Sequence, residues 1–69
     1  MIDLWKYQEA KKIKVIDIDG VEHIGNVVDV TDSEEFLDED ISEDAITIEV
    51  GKKHIEFLQS EIKGIERID

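Results

Sequence analysis

Twelve isoleucines and six valines, set against three leucines and two alanines, constrain this chain more than any other feature. Branching at Cβ restricts a side chain against the preceding turn of a helix and suits the pleated surface of a strand. The chain is therefore expected to be mainly β. At 69 residues it is read as a single domain, 1–69, because two cores cannot be built from so few residues. A domain of this size buries only about 60% of the surface its unfolded chain exposes. With no cysteine, neither a disulfide nor a thiolate zinc site can supplement that core. The supplement is expected from a partner, an identical subunit or unusually good packing.

The apolar residues fall into short runs divided by turn signals. Residues 1–11 are the exception: Asp3 is a suitable cap, and Leu4 to Lys11 include several good helix formers, which predicts an N-terminal α-helix. Ile13, Val15, Ile16 and Ile18 alternate with one phase slip, the mark of a bulge or of a strand apolar on both faces. Asp19-Gly20 signals a tight hairpin, and Val21 to Thr31 follows as a long second strand. Gly25 lies inside that strand, where glycine marks a sharp bend or a close backbone approach. Ala45–Val50 alternates cleanly and Gly51-Lys52 makes a second turn. Lys53 to Leu58, a break at Gln59-Ser60-Glu61, and Ile62 to Ile68 complete five strands. Antiparallel neighbours joined by turns this short are expected to form a strongly bent sheet that closes into a small barrel.

Between the second and third strands, residues 32–44 hold eight acids and no base. The whole chain carries a formal net charge of −11, and removing those eight charges leaves the other 56 residues at −3. The acidity is therefore local and reads as a solvated loop. A sharper reading makes it a docking surface for a basic protein partner, or an imitation of a row of phosphates.

The order of elements, together with particular residues, resembles the Sm and Sm-like (LSM) family. The first Sm motif is approximated by Ile13-x-Val15, Asp19-Gly20, Glu22, Ile24-Gly25 and Val27, with Gly25 at the strand-bending glycine. The second is approximated by Ile55-x-Phe57-Leu58, the break Gln59-Ser60-Glu61, then Ile62 and Ile65. The resemblance implies an N-terminal helix, a five-stranded bent barrel, and a ring in which the fourth strand of one subunit pairs with the fifth of the next. A homo-oligomer is the partner expected, with Ile55, Phe57, Leu58, Ile62, Ile65 and Arg67 as interface candidates. Family members that bind RNA place an Asp and, four residues on, an Asn in the loop after the second strand. Thr31 to Phe36 has an Asp one place late and no Asn. They also carry Arg-Gly before the last strand, where this chain has Gln59-Ser60-Glu61, and Gln cannot replace the fork geometry of Arg.

Other chemistry has thin support. His23 and His54 are the only imidazoles, and no spacing ties either to a serine, so no catalytic residue is assigned and the chain is read as a non-enzyme. Asp38, Asp40, Ser42, Asp44 and Glu49 fall at calcium-loop spacing, but Glu43 stands where that loop requires glycine, so no metal or cofactor is expected. Residues 1–14 carry a local net charge of +2, and Trp5, Lys6, Lys11, Lys12 and Lys14 are the candidates for contact with RNA. The N-terminus has no apolar segment of a signal peptide, and no apolar run approaches the about 18 residues a membrane span needs, so a cytoplasmic protein is expected.

Overall fold

The computed structural model describes residues 2–32 and 43–69. Five strands, β1 (Lys12–Asp17), β2 (Glu22–Thr31), β3 (Ala45–Val50), β4 (Lys53–Leu58) and β5 (Ile62–Arg67), form one antiparallel sheet in the order β4-β3-β2-β1-β5. The β-branched residues thus form the strands that their stiffness favours.

The sheet bends because β2 serves two partners. Its first half pairs with β1, from Ile16–Glu22 to Lys12–Asn26, and its second half pairs with β3, from Asn26–Glu49 to Thr31–Ala45. Gly25 sits just before this changeover and is buried. A Cβ there would collide with the Glu49 carbonyl oxygen and come within 2.9 Å of Val50 Cγ2. Glycine is required because β3 crosses close above it. Beyond it the register skips Val28, and this bulge turns the strand further. A second register shift lies between Ile16 and Asp17 against β5. That is one residue beyond the phase slip between Val15 and Ile16.

The concave face collects Ile13, Val15, Val30, Ile46, Ile48, Phe57 and Ile62, joined by Leu4 and Ala10 from the N-terminal segment. Leu4, Ile13, Val15, Ile46 and Ile48 are fully buried. Most of this set comes from alternate residues on strands, as the period of two requires.

Two expectations need correcting. Within the expected helix 1–11, the described residues 2–11 form no α-helix; Leu4–Tyr7 make a 3₁₀ turn capped by Asp3, whose carboxylate accepts from the Trp5 N–H at 3.1 Å. The core explains this, since Leu4 and Ala10 are both buried. Six residues apart on an α-helix they would point about 120° apart, too widely for both to sink fully into the one sheet. The chain instead breaks after Tyr7, and at Lys11 its backbone already bonds Val27 and the Asp69 carboxylate.

Nor does the sheet close into a barrel. Among the described residues, β4 pairs with no strand but β3 and β5 with no strand but β1. Leu4 and Ala10 join the core from the N-terminal side, with Ile2 and Tyr7 packed against it. At the junction, the Gln59–Glu61 3₁₀ turn directs polar groups onto the end of β4: the Glu61 carboxylate accepts from the Leu58 N–H at 2.8 Å. The tight hairpin that Asp19-Gly20 signals is present: the Asp17 N–H donates to the Val21 carbonyl at 3.0 Å and encloses a three-residue loop, Ile18-Asp19-Gly20, in which Gly20 alone takes positive φ, at 85°. The Asp17 carboxylate organises it by accepting from the N–H groups of Asp19 and Val21 at 2.9 and 3.0 Å. The β3–β4 turn is the tight two-residue connection expected, with φ 63° at Gly51.

Candidate functional site: two sheet edges and a basic N-terminal end

The antiparallel hydrogen-bond alternation fixes which backbone groups the two outer strands present. In β5, the Ile68 N–H donates to the Lys12 carbonyl at 3.0 Å, and Ile13 stands opposite Arg67. Hydrogen-bonded and non-bonded pairs alternate along such a ladder. Gly64 and Glu66 therefore bond towards β1, while Ile65 and Arg67 direct their N–H and C=O groups away from the sheet. In β4, a two-residue turn makes Val50–Lys53 the hydrogen-bonded pair, so Ile55 and Phe57 bond towards β3. His54, Glu56 and Leu58 then face outward. Of these groups, the Leu58 N–H is taken by Glu61 and the Ile65 carbonyl accepts from the Tyr7 hydroxyl at a long 3.5 Å.

The six interface candidates divide by burial. Phe57 and Ile62 belong to the core, and Ile55 and Ile65 pack against it. Leu58 is half-buried, and Arg67 is exposed with its Nε 2.7 Å from the Asp69 carboxylate. What these strands offer outward is thus mainly backbone, with apolar side chains committed to their own core.

The RNA-contact candidates lie on the N-terminal segment and β1. Trp5 is 37% exposed, and its indole Nε1–H donates to Asp44 Oδ2 at 2.9 Å, tying the segment to the start of β3. The Lys6 ammonium lies 5.8 Å from the Tyr7 ring centroid. Lys14 pairs with Glu66 at 3.4 Å, whereas Lys6, Lys11 and Lys12 enter no ion pair among the described residues. Lys12 and Lys14 alternate onto the convex face of β1, beside Asn26 and Ile24 of β2.

Asp17, which spacing alone did not single out, makes three side-chain contacts among the described residues. Besides closing the β1–β2 loop, its Oδ2 lies 2.8 Å from His23 Nε2. Hydrogen bonds from His23 and from the Val21 and Asp19 N–H groups hold its carboxyl below the usual aspartate value. The His23 ring in turn packs on Phe57 of β4, with centroids 5.1 Å apart and planes tilted by 55°. This contact joins the β1–β2 hairpin to the far strand across the core. An aspartate two residues before Asp-Gly was the available signal, since such side chains bond backbone N–H groups further along a turn. His54 is exposed and lies 3.1 Å from Glu49 on the neighbouring strand. Asp69 is held low in the same way as Asp17, by the Lys11 N–H and the Arg67 guanidinium.

Among the described residues, no group of three His, Cys, Asp or Glu side chains is placed to hold a metal ion. Residues 38, 40 and 42 of the calcium-loop spacing lie outside the described residues, as does most of the acidic loop at 32–44. No helix among the described residues is long and apolar enough to cross a membrane. No protein-family model, curated protein or solved structure matches the chain.

Proposed function

We propose that this chain is a non-enzymatic, Sm-like binding and assembly module that works as a homo-oligomer. The observation that carries the reading is the strand order: β4 and β5 are the two edges, and among the described residues the outward backbone groups of His54, Glu56 and Arg67 have no hydrogen-bond partner. An edge that is neither paired nor blunted templates another strand. Pairing β4 of one copy with β5 of the next is head-to-tail, and closes a ring when the rotation permits. The small core favours the same outcome, because a chain of 69 residues gains stability from burying an edge. RNA association belongs to this reading through Lys6, Lys11, Lys12 and Trp5, although the Asn and Arg-Gly of RNA-binding family members are missing.

Sedimentation with and without uridine- or adenosine-rich oligonucleotides tests both parts. The module is expected to sediment as an oligomer at tens of micromolar, and any RNA shift should weaken as salt rises. A monomer throughout that range would sink the assembly reading. Absence of a shift at low salt would remove RNA from it. The Glu56→Pro variant locates the interface. Its N–H faces outward, so proline spares the β3–β4 ladder and should abolish assembly.

A further inference from the structure

The two edges are not equally open, and the difference lies in the N-terminal segment. That segment is pinned at several points: Leu4 is fully buried, the Ile2 carbonyl accepts from Gln59 Nε2 at 2.6 Å, and Trp5 bonds Asp44. Between these anchors and the start of β1, Tyr7 packs half-buried against the core and turns its hydroxyl onto the carbonyl of Ile65. By the alternation set by Ile68 and Lys12, this carbonyl points outward from β5. It is one of the acceptors that a strand pairing on β5 would need. On β4, by contrast, the outward groups of His54 and Glu56 have no hydrogen-bond partner among the described residues.

We propose that Tyr7 is an edge guard: its side chain occupies the outer edge of β5 and must swing away before β4 of a second copy can pair there. The inference rests on the reading that copies assemble through these two edges. A phenol suits the task because its apolar ring packs against the core while its hydroxyl reaches the edge carbonyl of Ile65. It blunts the edge without ending the strand, as a proline or bulge would. At 3.5 Å the bond is long, so it gives way readily when a backbone N–H offers a shorter one. The guard therefore sets the concentration at which copies join rather than forbidding joining. It also couples assembly to anything that moves the N-terminal segment, including a ligand on Trp5 or Lys6.

Sedimentation equilibrium on the full chain, the Tyr7→Phe variant and the Tyr7→Ala variant tests this from micromolar to millimolar concentration. Tyr7→Phe keeps the ring and frees the carbonyl, and should raise the association constant about threefold, as loss of one weak hydrogen bond predicts. Tyr7→Ala uncovers the edge and should raise it further, with a thermal melt confirming that it still folds. Association equal to or weaker than the parent in Tyr7→Phe would overturn the guard. If the parent and both variants all stay monomeric, assembly through the edges fails on its own, and a second arm decides the guard. There, a synthetic peptide of residues 52–59 is titrated while the amide resonances of Lys63, Ile65 and Arg67 are followed. Tighter binding to Tyr7→Phe than to the parent supports the guard, and equal binding overturns it.

Discussion

Gly25 and Gly64 look alike in the sequence, each a lone glycine inside a strand, and the structure separates them. At Gly25 an added methyl group would meet the Glu49 carbonyl and Val50 Cγ2, and backbone cannot yield as a flexible side chain can. Gly25→Ala should cost about 2–3 kcal/mol, in the range of overpacked core positions. At Gly64 the nearest neighbour is Ile16 Cδ1 at 3.7 Å, an ordinary contact. Gly64→Ala should be neutral or stabilising by up to about 1 kcal/mol, since alanine loses less backbone entropy on folding. Urea titration of both variants checks the contrast, and equal losses would refute it. Asp17 makes a second prediction at this scale. Its folded value lies below the ordinary 3.8, so between the two values the unfolded chain binds more protons than the folded one. Its contribution is complete above pH 3.8 and is lost as pH falls through the folded value. In urea titrations at pH 6 and pH 3, the parent should lose more stability than Asp17→Asn, while Asp69 adds the same loss to both and leaves the difference to Asp17. An equal loss in parent and variant would count against the bonds to His23, Val21 and Asp19 as the cause.

Among the elements, β3 and β4 were legible almost to the residue, because clean alternation and a Gly-Lys turn leave one register that buries Ile46, Ile48 and Phe57. The N-terminal segment was not. Its composition favours helix, and its Asp3 cap is present, yet Leu4 and Ala10, about 120° apart at helical spacing, are both buried. Propensity is a weak prior here, because so short a helix is marginal in water and tertiary packing decides. Leu4 should consequently behave as a core residue. Leu4→Ala is expected to cost about 2–4 kcal/mol by urea titration. Lys6→Ala, on the exposed side of the same turn, should change stability by less than about 0.5 kcal/mol. The β1–β2 loop was half legible. Asp-Gly marked its place, but only the two N–H groups bonded by Asp17 show why the loop holds three residues rather than two.

For the whole molecule, charge and edges oppose each other. Every copy carries −11, so joining copies costs electrostatic work that salt screens over about 10 Å at 0.1 M. If edge pairing is held by backbone bonds and burial, raising salt should strengthen assembly in sedimentation runs. Weakening would mean that charge pairs between copies dominate. RNA binding should move the opposite way with salt, which separates the two processes in one titration. The amino-acid sequence by itself determined the β class, the positions of five strands and the localisation of charge, because these follow from side-chain branching, period-two alternation and composition. The tertiary structure alone decided that the N-terminal segment packs as a 3₁₀ turn, that the sheet stays open, and that Tyr7 meets β5. Those outcomes turn on which apolar residues share one core and which way edge carbonyls point, and both are set by contacts between residues far apart in the chain.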